Sequence, residues 1–110
     1  MRKVYQYWTS NKGDGYSEAV ITFCFDSIDD NGHEVYGKDR QTLQAAINDA
    51  KKQFKKTPDA NFSLYANAEL TDYYDDGTVD GKTERDCIRI GSIDPNGNYF
   101  DLCESADWLD

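Results

Sequence analysis

Carboxylates dominate the second half of this chain. Asp72, Asp75, Asp76, Asp80, Glu84 and Asp86 crowd one short stretch, and Asp101, Glu104, Asp107 and Asp110 recur every third residue at the end. Clustered acids can ligate hard cations, exchange protons with a substrate, or present fixed negative charge to a basic partner. Spacing tests the first option. With Gly77 placed at the glycine of an EF-hand loop, Asp72 falls at position 1 and Asp76 at position 5, but Tyr74 takes position 3 and Thr83 position 12, so two ligand positions fail. Placing Gly32 or Gly97 there puts Ser27 or Ser92 first and Lys38 or Cys103 last, which fits less well. Zinc has no better ligand set, because His33 is the sole histidine and Cys24, Cys87 and Cys103 lack a Cys-x-x-Cys spacing. No metal and no cofactor is expected.

Catalytic groups are sparse. His33 lies beside a turn, where an ordinary solvated residue is the simpler reading. Cys24 falls mid-strand, where a small buried hydrophobe is the commoner role, although a Cys–His pair between the two stays open. Gly13 and Gly15 lie in a hairpin without the downstream helix and Lys-Ser/Thr of a phosphate loop. Carboxylate pairs occur throughout the chain and so do not single out glycoside hydrolysis. A non-enzymatic role is expected.

The remaining option is the charge itself. Met1 to Pro58 carries 8 Asp and Glu against 9 Lys and Arg, whereas Asp59 to Asp110 carries 13 acids against Lys82, Arg85 and Arg89. Nearly all of the net charge of −9 therefore belongs to the second half. Such a balance disfavours direct contact with nucleic acid or anionic lipid and favours a basic partner. If the stretch after Asp101 is helical, its carboxylates stand about 5–6 Å apart; if extended, alternate residues stand about 6.6 Å apart. Both approach the separation of successive phosphates on a nucleic-acid strand. The expected partner-binding set is Asp72, Tyr74, Asp75, Asp76, Asp80, Glu84, Asp86, Asp101, Glu104, Asp107 and Trp108, with the aromatics as anchors.

These residues need a scaffold. Val4 to Thr9 alternates and reads as a strand, followed by the turn Asn11 to Gly15 and a second strand, Ser17 to Ile28, with Ala19, Ile21, Phe23 and Phe25 on one face. A short extended piece lies at His33 to Tyr36. Leu43, Ala46, Ile47, Ala50 and Phe54 then form a helical stripe from about Arg40 to Lys56, with Asp39 as N-cap and Lys51, Lys52, Lys55 and Lys56 at the cation-favouring end. Phe62 to Thr71 alternates cleanly, Asp72 to Asp86 reads as a polar interruption, and Cys87 to Ile93 and Asn98 to Cys103 flank a turn at Asp94 to Gly97. Tyr5, Tyr7 and Tyr65 fall on the strand faces opposite Val4, Leu64 and Ala66, which points to an exposed aromatic side of the sheet. The expectation is one α+β domain of 110 residues: a twisted antiparallel sheet of four to five strands with one helix on one face, in the order β-β-α-β-β-β.

No apolar run approaches a membrane span, and Met1 to Trp8 lacks the apolar stretch of a secretory leader, so a cytoplasmic protein with reduced thiols is expected. In size, charge and architecture the chain resembles small acidic phage-encoded inhibitors of host defence, such as anti-CRISPR proteins and other DNA mimics. That resemblance implies a non-catalytic inhibitor occupying the positively charged DNA-binding surface of a partner, for example a CRISPR effector nuclease in a bacterial host cell. It assigns no residue. Two alternatives share the electrostatics: an immunity or antitoxin protein neutralising a basic nuclease toxin, and an accessory domain whose acidity serves solubility.

Overall fold

Ala19, Ile21, Phe23, Phe25 and Ser27 are buried while the residues between them are only half-buried, so β2 (Gly13–Ile28) shows one face to the core along its covered length. Its neighbour β4 (Asn61–Tyr74) repeats the pattern with Phe62, Leu64, Ala66 and Ala68. The two pair antiparallel from Gly15↔Tyr74 to Ile28↔Asn61, which places these apolar residues side by side. The computed structural model describes residues 2–10 and 13–102 and, at residues 2, 4, 10 and 80–84, the backbone alone.

Around this pair lie β1 (Arg2–Ser10), β3 (Glu34–Tyr36), α1 (Leu43–Lys56), β5 (Val79–Ile93) and β6 (Tyr99–Asp101). All neighbours are antiparallel, in the order β1-β2-β4-β5-β6, and β3 pairs with the far end of β2. The α+β class and, among the described residues, the single helix agree with expectation. The path β1-β2-β4-β5-β6 holds five strands, within the expected four to five, and the short piece near His33 adds β3 beside β2, so the element order among the described residues is β-β-β-α-β-β-β.

The stripe Ala46, Ile47 and Ala50, with Leu43 and Phe54 half-buried, packs on the apolar faces of β2 and β4. The helix starts later than the sequence suggests. Arg40 exchanges backbone hydrogen bonds with Phe23 (2.8 and 2.6 Å), and Gly37 N donates to Phe25 O (2.8 Å). Residues 37–40 are thereby held extended along the edge of β2, between the stretches that β1 and β3 cover, and only then is the chain released to coil. Thr42, not Asp39, is the N-cap: its Oγ1 accepts from Ala45 N at 3.2 Å. Thr42→Ala is expected to cost about 1 kcal/mol, read as a lower urea midpoint with unchanged slope; no shift would exclude the cap as a stabilising contact.

Residues 72–86 also depart from the sequence expectation. They do not interrupt the sheet: β4 runs to Tyr74 and β5 begins at Val79, leaving only a tight turn between. Thr71, Tyr73, Tyr74, Val79 and Thr83 favour extended backbone even though no core lies against this end to impose alternation. Two register shifts, between Leu64 and Tyr65 and between Thr71 and Tyr73, let β5 follow β4. The result is long: 53 × 23 × 20 Å with a radius of gyration of 17.0 Å, against about 13 Å for a compact chain of this length. A 14-residue helix reaches about 21 Å, while the 16 residues of β2 extend about 53 Å. Roughly half of the sheet therefore projects beyond the helix. No helix among the described residues is long and apolar enough to cross a membrane.

Candidate functional site

The projecting end is built by two hairpins held together. In the β4–β5 turn, Gly77 N donates to Tyr74 O (2.8 Å) and Tyr74 N to Thr78 O (2.9 Å), with Gly77 at φ +86°, a conformation that only glycine adopts freely. Asp75 N then reaches across to Asp14 O at 3.0 Å, fastening this turn to the start of β2. Asp14, Asp75 and Asp76 consequently share one open recess with Gly13 and Tyr74. Tyr7, Trp8 and Thr9 adjoin it through Asp14, Gly15 and Asp75.

The acids chosen from sequence have unequal surroundings. Asp75 is exposed at the tip. Asp76 braces the turn: its Oδ1 accepts from Thr78 Oγ1 (2.6 Å) and Thr78 N (2.9 Å), and these bonds, the hydroxyl's first, hold its carboxyl below the usual range. Asp29 and Asp94 brace two other turns, each accepting two backbone N–H groups at 2.8–2.9 Å ahead of Gly32 and Gly97. Asp72 accepts from Ser17 Oγ at 2.5 Å on the helix-bearing face. Tyr74 meets Trp8 edge to face, ring centroids 5.6 Å apart. Asp86 is exposed, opposite Ala68. Asp80 and Glu84 lie in β5, where only the backbone is described.

Asp101 stands elsewhere. It pairs with Gly91, which pairs with Leu64, ten residues from Tyr74, so it lies about 33 Å from the tip along the strands. Beside it, the Tyr99 hydroxyl has its pKa pushed up by burial first and then by Asp101. Glu104, Asp107 and Trp108, and with them every member of the acidic ladder after Asp101, lie outside the described residues. The fold thus gathers Asp75 and Asp76 with Asp14 and Trp8, two residues that sequence reading left out, and sets Asp101 apart.

Of the described thiols, neither Cys24 nor Cys87 joins the imidazole. His33 lies beyond the end of β2 and sits 3.3 Å from Asp29, while Cys24 is at least four strand positions away, about 13 Å. Burial pushes the Cys24 thiol up, against a hydrogen bond from Asn67 Nδ2 (3.3 Å), and burial likewise raises Cys87. Both shifts run against the thiolate form that a nucleophile needs.

The face of the sheet opposite α1 carries rings. Tyr7, Tyr16, Tyr73 and Val79 are successive cross-strand partners through β1, β2, β4 and β5. Tyr16 and Tyr73 stack with centroids 5.2 Å apart, and Tyr5 and Tyr7 tilt toward Tyr16 at 6.1 and 6.2 Å. Tyr5 and Tyr7 are exposed, as the alternation of β1 implies. Compared with known protein families, curated proteins and solved structures, the chain matches none.

Proposed function

We propose that this protein is a non-catalytic acidic inhibitor that docks its projecting end on the positively charged nucleic-acid-binding surface of a partner protein and takes the place of DNA there. The joining of Asp14 and Asp75 at the end of a 53 Å body carries this reading. Their carboxylates are set on a braced double hairpin, so little ordering remains to be done when a row of Lys and Arg arrives. A basic surface that normally neutralises phosphates would meet fixed carboxylates and release its own counterions in the same way. The partner class is that blocked by the small phage inhibitors this chain resembles, a CRISPR effector nuclease or another DNA-binding nuclease of the host.

The test is a competition assay: CRISPR effector nucleases are loaded with duplex DNA, and the protein is titrated in at several salt concentrations. Displacement that weakens steeply with salt is expected. Asp14→Lys with Asp75→Lys reverses the tip while leaving the Asp76 brace in place. Like charges brought face to face cost several kcal/mol, so affinity should fall by roughly a hundredfold or more. Retained affinity in the folded variant, or DNA and protein held together on one partner, would refute mimicry. Inhibition of one nuclease toxin without DNA competition would point instead to an immunity protein.

A further inference from the structure

The tyrosine face is not explained by stability. Core formation in this sheet uses the other face, where α1 lies, yet Tyr7 is 82% exposed, Val79 55% and Tyr5 48%. Together with Tyr16 and Tyr73 they form one patch across four strands, its rings on β1, β2 and β4 and Val79 on β5. A contiguous exposed apolar surface of this kind marks an interaction site, and tyrosines are the ring type that interfaces use as rigid anchors.

The rim defines what fits. Asp14, Glu18 and Glu69 occupy the same face by register. Among the described residues, the cations on this face include Lys3, held 3.7 Å from Glu18, Arg85, which stands opposite Glu69, and, farther from the tip, Arg89, which donates to Ser63 Oγ at 3.0 Å. A second copy of this chain would bring its own Asp14, Glu18 and Glu69 against these acids. A single nucleic-acid strand could stack its bases on the rings, but its phosphates would face the same carboxylates. A guanidinium satisfies both features. Its plane extends a stack of rings, its cation is drawn to the ring face, and its forked donors suit a carboxylate. The ring most open to such stacking is Tyr7, at the β1 end of the row, with Tyr73 on the β5 side.

We propose that the helix-free face is a docking surface for arginine side chains of a protein partner, with Tyr7 and Tyr73 as the stacking rings and Asp14 and Glu18 as the pairing carboxylates. It rests on the reading of the chain as an acidic protein for a basic partner, and it adds that the partner presents arginine rather than lysine at this face. Partner recognition then includes a contact that fixed charge alone does not supply.

Octa-arginine and octa-lysine peptides are the probes, titrated at equal ionic strength into the full chain and followed by calorimetry. Arg-peptide binding about tenfold tighter than Lys-peptide binding is expected. Tyr7→Ala with Tyr73→Ala should erase that preference, while Tyr7→Phe with Tyr73→Phe should keep it, since the rings remain. Circular dichroism confirms that each variant folds. Equal affinity for the two peptides, no binding of either, or a preference that survives the alanine variant each overturns the proposal. Equal affinities that both collapse in Asp14→Lys with Asp75→Lys would overturn it while leaving the acidic reading intact; affinities indifferent to that reversal would remove the acidic reading and the proposal with it. A dimer in sedimentation that the alanine variant dissolves would make a second copy the occupant, and so also overturn it.

Discussion

Phe62→Ala is expected to lower the unfolding free energy by about 3–5 kcal/mol, a large part of the roughly 5–15 kcal/mol that a domain of this size holds in total. Phe62 is only 2% exposed, and its ring lies between Phe25 of β2 (centroids 6.2 Å) and Phe54 of α1 (6.0 Å). It therefore closes the layer between sheet and helix. Its backbone is committed as well: the carbonyl accepts from the buried Ser92 Oγ at 2.6 Å, and Ser27 is its partner in β2. Phe54 in turn packs against the 94–97 turn, since a Cβ on Gly97 would touch that ring at 3.0 Å. Removing the Phe62 ring leaves a cavity that three separately anchored elements would have to move together to fill, and close-packed interiors relax only in part. Urea unfolding measures the loss. Phe100→Ala is the control, because Phe100 is 43% exposed and should stay within about 0.5 kcal/mol of the parent. A Phe62 variant as stable as the Phe100 variant would mean that helix and sheet do not share one core.

The parts of this fold that were legible in the sequence are those with a buried face. Ala19 to Phe25 and Phe62 to Ala68 alternate because α1 covers one side of them, and the helical stripe Leu43 to Phe54 is the other half of the same contact. Where the helix stops, the signal stops. None of the described side chains of residues 72–79, 85 and 86 is buried in a core, so no alternation is imposed on them and a continuous hairpin reads as a polar interruption. The start of α1 was hidden for a different reason: the bonds that hold Arg40 extended come from Phe23, seventeen residues earlier, and no local pattern reports them.

The candidate site was half legible on the same grounds. Counting charge by halves of the chain found Asp75 and Asp76, but antiparallel pairing folds the first half onto the second. Gly15↔Tyr74 brings Asp14, an acid from the nearly neutral half, to the very tip. The same geometry carries Asp101 to the opposite end, although it is close to the acidic stretch in sequence. Asp76 was visible as an acid but not as a brace, since its role depends on Thr78 two residues later and on the turn that joins them.

Gly15→Ala should separate the two ends of the molecule experimentally. Gly15 is buried in β2 between Trp8 of β1 and Tyr74 of β4, its cross-strand partners. A Cβ there would lie 2.5 Å from the Trp8 ring and would collide with the backbone carbonyl of Tyr73. The indole can swing away at the expense of its edge-to-face contact with Tyr74. The carbonyl cannot, because it belongs to the strand whose next turn donates from Asp75 to Asp14. Overpacking of this kind costs about 1–3 kcal/mol. None of the residues displaced belongs to the layer under α1, so the loss should fall on the projecting strands first. Hydrogen exchange is expected to quicken at residues 70–79 while residues 62–66 keep their protection, and affinity for a basic partner should fall even though the core is intact. Uniform quickening along β4 would instead show that helix-covered and projecting halves open as one unit, and unchanged exchange would show that the Trp8–Gly15–Tyr74 contact does not hold the tip.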